Sequence, residues 1–232
     1  MNKAEKEYKI SYKTYYNKRL KKSCFHNKLV HPLYIQVIFD RISIVFKSYY
    51  FELFSKPKYA IRVSGEIFAP DIKQIISEEK ALIDFIINKN QQSFSLDIFK
   101  KEYTFYSKDL LDTLERDFSN YLYTFFYDDG LPFLAEIFRQ GALVSDPYKI
   151  IQDMKKALDP KLYKKLIDNS FHYAPPYLSL YAFTERFKAN HLISLTVMEW
   201  LQPKTQEAFI RFFKKEYPHY NITETFEKIQ HG

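Results

Sequence analysis

The hydrophobic period of this chain changes once, at Pro70, and that change sets the fold class. From Pro32 onward apolar residues alternate strictly, with Leu33, Ile35, Val37 and Phe39 on one side and Tyr34, Gln36 and Ile38 on the other. A period of two belongs to an extended strand, whose successive side chains point to opposite faces. Asp40 and Arg41 make a short turn, and Ile42, Ile44 and Phe46 resume the alternation, so residues 33–47 read as a β-hairpin. Tyr59, Ile61 and Val63 are expected to supply a third strand, ended by Ser64 and Gly65.

Beyond Pro70 the spacing is helical. Asp71 can cap a helix, with Gln74 answering from the third helical position, and Ile72, Ile75, Ile76, Leu82, Ile83, Ile86 and Ile87 recur three and four apart. Ser95 caps a short helix through Phe99 and Tyr103. A long amphipathic helix follows, carrying Leu110, Leu111, Leu114, Phe118, Tyr121, Leu122, Phe125 and Phe126, and should stop at Asp128, Asp129 and Gly130. Asp146 before Pro147 and Asp159 before Pro160 each join a capping carboxylate to a proline suited to the first helical position. Pro175 and Pro176 mark an extended break. Residues 190–201 fit a strand through Ile193, Leu195 and Val197, or a helix through Leu192, Leu195, Val197, Met198 and Leu201. A last helix runs from about Thr205 to Tyr217, before Pro218. The expectation is an α+β chain, mostly α-helical: a basic arm over 1–31, a small three-stranded antiparallel sheet over 32–68, and a helical domain over 69–232 with room for a subdivision near 130–146.

Charge is distributed unevenly over this layout. Residues 1–63 carry 14 Lys or Arg against 4 Asp or Glu, whereas residues 64–232 carry 21 against 24. A basic segment on a mildly acidic body points to a polyanionic partner. Lys18, Arg19, Lys21, Lys22, Lys28, Arg41 and Lys47 are the candidates for phosphate contact, with the hairpin presented to a DNA groove as β-ribbon readers do. The arm itself, rich in Lys and Tyr with weak apolar periodicity, reads as flexible or weakly structured before a first strand.

The single cysteine, Cys24, has no partner for a disulfide and no neighbours for a zinc site, which favours a reducing, cytoplasmic setting. The stretch MNKAEKEYKISYK lacks the apolar core of a signal peptide, and no segment approaches the roughly 20 apolar residues of a spanning helix. With 46% hydrophobic and 19% aromatic residues the chain can pack a core. The aromatic excess tracks AT-rich codons and is no argument for function.

The arm, then the strands of HPLYIQVIFDRISIVFKS, then the helix at 71–89 and QQSFSLDIFKKEY resemble the start of tyrosine recombinases of mobile elements, over about residues 28–126. In that family a sheet module that binds DNA arms precedes a helical core-binding domain. Tyr49 and Tyr50 stand where the family often ends its second strand in Gly-Ile. The family's chemistry requires fixed cations around the scissile phosphate, among them a His-x-x-Arg motif, and a tyrosine nucleophile. None of the six histidines begins such a motif: His172 precedes Tyr-Ala-Pro and His191 precedes Leu-Ile-Ser. The resemblance therefore implies a recombinase-like N-terminal region without the catalytic domain.

Three other groups bear on chemistry. Asp112 and Glu115 share a helical face and, with Asp128 and Asp129, present carboxylates of the kind that hold Mg²⁺, although such residues are ordinary on a solvated helix. His26, His31, His172, His191, His219 and His231 are scattered, without metal-ligand spacing. The aromatic segment Phe171 to Tyr177, around two prolines, offers a surface for a protein partner or a packed connection. The leading reading is a non-enzymatic, cofactor-free, cytoplasmic protein that binds double-stranded DNA. The alternative is a protein-interaction module that uses its aromatic helical half, with an incidental basic tail.

Overall fold

Strands form where alternating residues find a partner strand. The computed structural model of the chain describes residues 9–174, 176–188 and 192–231. Lys3, Lys6 and Tyr8 of the basic arm, Pro175 and His191 lie outside the described residues. The expected hairpin is present as β4 (Leu33–Phe39) and β5 (Ile42–Lys47), following β1 (Ser11–Tyr16), β2 (Ser23–Phe25) and β3 (Lys28–Val30). β4 and β5 pair antiparallel with Phe39 opposite Ile42. Asp40 and Arg41, at φ 47° and 62°, are both left-handed, which is the two-residue turn that matches the natural twist of a hairpin.

The three-stranded antiparallel sheet preceding a helical body is as expected, but its third strand is different. The sheet order is β1-β4-β5, so β1 completes it. Residues Ile61–Val63 (β6) instead pair with Glu66–Phe68 (β7) in a separate hairpin turned by Ser64 and Gly65. β1 escaped the hydrophobic pattern because SYKTYY puts polar or amphipathic residues on both of its faces. Residues 9–31 are accordingly built into the sheet module instead of forming a loose arm. The Asn17 side chain accepts from the Arg19 N–H, and its backbone N–H donates to the Pro32 carbonyl. β2 and β3 pair as a short hairpin, whose His26 donates through Nε2 to the Phe54 carbonyl at 2.7 Å.

The chain divides into two compact units. One holds everything up to Lys56 and resumes over Ala60–Ser107; the other holds Pro57–Tyr59 and everything from Lys108. The boundary thus falls later than residue 69, because the helices that follow the sheet pack on it. In the first unit the side of the sheet carrying Leu33, Ile35 and Val37 is buried. It is covered by α1 (Tyr49–Phe54), α2 (Ile72–Lys89) and α3 (Leu96–Tyr106). Phe39 meets Phe94 edge-on at 5.0 Å and Phe46 meets Tyr103 at 4.8 Å, while Tyr12 donates to Asp84 of α2 at 2.7 Å. The Asp71 and Ser95 side chains cap α2 and α3, accepting from the N–H groups of Lys73 and Ile98, but Gln74 returns no bond to Asp71. Burying Ile35 and Val37 alone is worth roughly 2 kcal/mol each relative to exposure.

The second unit is helical: α4 (Leu110–Asp128), α5 (Pro132–Gly141), α6 (Pro147–Ala157), α7 (Pro160–Tyr173), α8 (Pro176–Phe187), α9 (Val197–Trp200), α10 (Pro203–Glu216) and α11 (Ile222–His231). α4 stops where expected. Gly130 turns left-handed at φ 76°, its N–H reaches the Tyr127 carbonyl and that of Leu131 reaches Phe126, a Schellman closure that lets α5 begin at Pro132. Within the ambiguous stretch, the described residues 192–196 are irregular apart from a bridge of Thr196 to Asp109, and α9 follows, started by a capping box between Thr196 and Glu199. α10 is not the last helix, since α11 follows Pro218. Phe118, Tyr177, Trp200, Phe209 and Phe213 are the large buried centre. Among the described residues no helix is long and apolar enough to cross a membrane.

Candidate nucleic-acid interface

Because directly opposed residues of paired strands share a face, the registers of β1, β4 and β5 define both sides of the sheet. The side away from α2 and α3 carries three rows across the strands. These are Ser11-Ile38-Ser43, Lys13-Gln36-Val45 and Tyr15-Tyr34-Lys47. No carboxylate stands on it. Val45 is 50% exposed there, Tyr15 and Tyr34 face each other with ring centroids 6.4 Å apart, and the Lys13 ammonium lies 5.4 Å from the Tyr15 ring centre. A half-buried aromatic pair between lysines offers both stacking surface and positive charge.

The residues expected to contact phosphate frame this face. Lys18, Arg19, Lys21 and Lys22 are exposed in the connection between β1 and β2, held by the Asn17 turn and by His31, which donates to the Leu20 carbonyl at 3.0 Å. That connection leaves the sheet beside Tyr16, which pairs with Leu33, at the end where β5 finishes with Lys47. Lys28 is exposed on the neighbouring β2–β3 hairpin. Arg41 stands apart at the opposite tip of β4–β5, roughly 20 Å away along the strand. None of Lys18, Arg19, Lys21, Lys22, Lys28 or Arg41 forms an ion pair among the described residues. Lys47 differs: its ammonium meets Glu52 at 3.0 Å, and that hydrogen bond raises its pKa above the usual lysine value.

Lys13, Tyr15, Tyr34 and Gln36 are the members of this surface that the sequence pattern did not single out. Their signal was the period of two on the polar side of β4, which becomes informative only with β1 beside it.

The carboxylates considered for Mg²⁺ are placed otherwise. Asp112 and Glu115 both bind Lys58, at 2.9 and 2.6 Å, within the second unit. Asp128 lies about 24 Å further along α4, and Asp129 pairs with Lys165. Among the described residues no three His, Cys, Asp or Glu side chains converge on a metal position. Burial raises Glu115 to about 7 against the pull of Lys58, with Asp146 and Asp112 adding to the rise. Burial alone would lower Lys58, but the two carboxylates outweigh it and hold the ammonium charged. One cation cannot neutralise several buried acids, so the nest holds a proton near neutrality. Next to it Asp109, pushed up to about 6 by burial, accepts from Tyr59 and from the N–H groups of Leu195 and Leu111. These satisfied contacts tie Pro57–Tyr59 and the segment at Leu195, before α9, to the start of α4, which is a structural role.

The aromatic segment is mainly core: Phe171 stacks on Tyr220 at 3.8 Å, and Tyr177 on Phe118 at 4.6 Å, leaving Tyr173 exposed. Cys24 is exposed, with its thiol donating to the His26 carbonyl. No protein-family model, no curated protein and no solved structure matches the chain.

Proposed function

We propose that the protein binds double-stranded DNA without catalysis, laying the open side of its three-stranded sheet into a groove. In this reading the basic β1–β2 connection grips the phosphates at one end and Arg41 at the other. The observation that carries it is a nine-residue sheet face with no carboxylate of its own, Lys13 in its middle row, and cations at both ends that form no ion pair among the described residues. Phosphate contacts supply affinity and register, while the side chains on the face meet base edges. The strained backbone of Arg41 fits the same picture. Glycine suits φ 62° far better, and strain of about 1–3 kcal/mol persists where a side chain is used. The resemblance to the DNA-arm module of tyrosine recombinases agrees with it.

The first unit extends to Ser107, so removal of the sheet would expose the core of α2 and α3; the test therefore uses substitutions in the full chain. Binding to a fluorescent duplex is titrated across salt for the native chain and for a variant with Lys18, Arg19, Lys21 and Lys22 reversed to Glu. Tight, salt-sensitive binding that the reversal abolishes is the expected outcome. Equal behaviour of the two chains, or no binding by the native chain at low salt, overturns the reading.

A second reading rests on one observation in the other unit. Phe133 and Ile137, a helical turn apart on α5, are 85% and 61% exposed, and Leu143 just beyond is exposed as well, an apolar surface of the kind that meets a protein partner. In that case the partner contact is α5 and not the aromatic segment at 171–177.

A further inference from the structure

We propose that Gln36 reads an adenine, so that the sheet prefers an A·T pair over a G·C pair at the middle of its site. The inference rests on the DNA-binding reading and adds which base is recognised. Gln36 lies on the central strand, opposite Lys13 of β1 and Val45 of β5, in the middle row of the open face. Its carboxamide makes no hydrogen bond among the described residues, neither within the row nor to a neighbouring backbone. A planar group with one acceptor and one donor side by side matches the N6 donor and N7 acceptor that adenine shows in the major groove.

The rest of the face narrows the assignment. Lys13 and Lys47 only donate and suit phosphates or guanine acceptors. Ser11 and Ser43 adapt to any base, and Tyr15 and Tyr34 offer a ring face. Gln36 is thus the one side chain of the nine that pairs a donor and an acceptor in fixed geometry. Val45 beside it is half exposed, and an apolar side chain at that position suits the methyl group of the thymine that pairs with adenine. Rows two residues apart along a strand are roughly 6.8 Å apart, about two nucleotide steps. The preference therefore belongs at one position of the site.

The test selects duplexes from a pool with a randomised core, using the full chain, Gln36→Ala and Gln36→Arg, once their thermal midpoints are seen to agree. The native chain should enrich A·T at one position by roughly tenfold in affinity. Gln36→Ala should bind the natively selected site about tenfold more weakly, lose that preference and keep the salt slope, since the slope counts phosphates. Gln36→Arg should move the same position to guanine, whose O6 and N7 suit a guanidinium. A native chain that binds duplexes without base preference overturns the inference and leaves DNA binding standing. So does a Gln36→Ala chain that selects the native sequence, or a Gln36→Arg chain that still selects adenine. Failure of the native chain to bind the pool at low salt overturns both.

Discussion

In the first unit Glu79 is wholly buried and meets the hydroxyl groups of Ser48 and Tyr103 and the backbone of Tyr50, with no cation beside it among the described residues. The described lysines of that unit stay outside, on the sheet, its loops and the outer faces of α2 and α3. In the second unit a lysine comes inside: Lys58, its side chain 7% exposed, meets Asp112 and Glu115. Both arrangements push a carboxyl group towards its neutral form, but the first holds it with hydroxyl groups and leaves cations such as Lys18 and Arg19 without an ion pair among the described residues. The second spends a cation on the interior and makes stability depend on one side chain. The difference teaches that net charge alone does not say what a basic residue is for; whether it faces an acid inside the fold does.

The largest expected effect strikes the internal cation. Lys58→Met should destabilise the second unit by up to about 3 kcal/mol, since it strands two half-buried carboxylates. Trp200, the chain's only tryptophan and buried in that unit, gives the fluorescence signal for denaturant unfolding. In an Asp112→Asn, Glu115→Gln background the same substitution should cost far less; an equal cost would mean that Lys58 acts through packing.

Next comes the carboxyl group without a cation. Burial raises Glu79 from 4.5 to about 7, so the folded state holds a proton that the unfolded chain releases at lower pH. Its contribution is complete below about pH 4.5 and is lost as pH rises through about 7, a change of about 3 kcal/mol. Glu79→Gln should therefore gain stability over the native chain steadily across that window, as read by calorimetry. A difference independent of pH would show that Glu79 stays ionised in the fold.

Smaller effects concern the outward-facing cations. Arg41→Gly should relieve left-handed strain and stabilise the first unit by about 1 kcal/mol, while weakening duplex binding; stabilisation without weaker binding would remove Arg41 from the interface. Lys13→Ala should leave the thermal midpoint unchanged and lower the salt slope of DNA binding by about one phosphate. An unaltered slope would place Lys13 off the phosphates.

Much of the local structure was legible. The β4–β5 hairpin, the Asp71, Ser95 and Asp159 caps and the stop at Gly130 all appear as the pattern predicts. Asp146 marks the start of α6 correctly, yet its carboxylate makes no capping bond and lies near Lys149 instead. α1 went unseen because Tyr-Tyr-Phe-Glu-Leu-Phe has no amphipathic spacing; its Ser48 cap and its burial against the rest of the unit hold it. Of the interface, the basic residues were visible as charge, but the face between them was not, since Tyr15 and Lys13 acquire meaning only next to Tyr34 and Gln36.

Sequence alone determined what residues decide within a turn or two of themselves: strand or helix, where each begins, and which end of the chain is basic. Caps, turns and periodicity act over a few positions, so a linear reading captures them. Only the tertiary structure decided that β1 rather than Ile61–Val63 completes the sheet, and that Lys58 meets acids 54 and 57 positions away. It also decided which side of the sheet stays open. Those outcomes depend on which distant groups the folded chain brings together, and many pairings of similar residues satisfy the same local pattern until packing selects one.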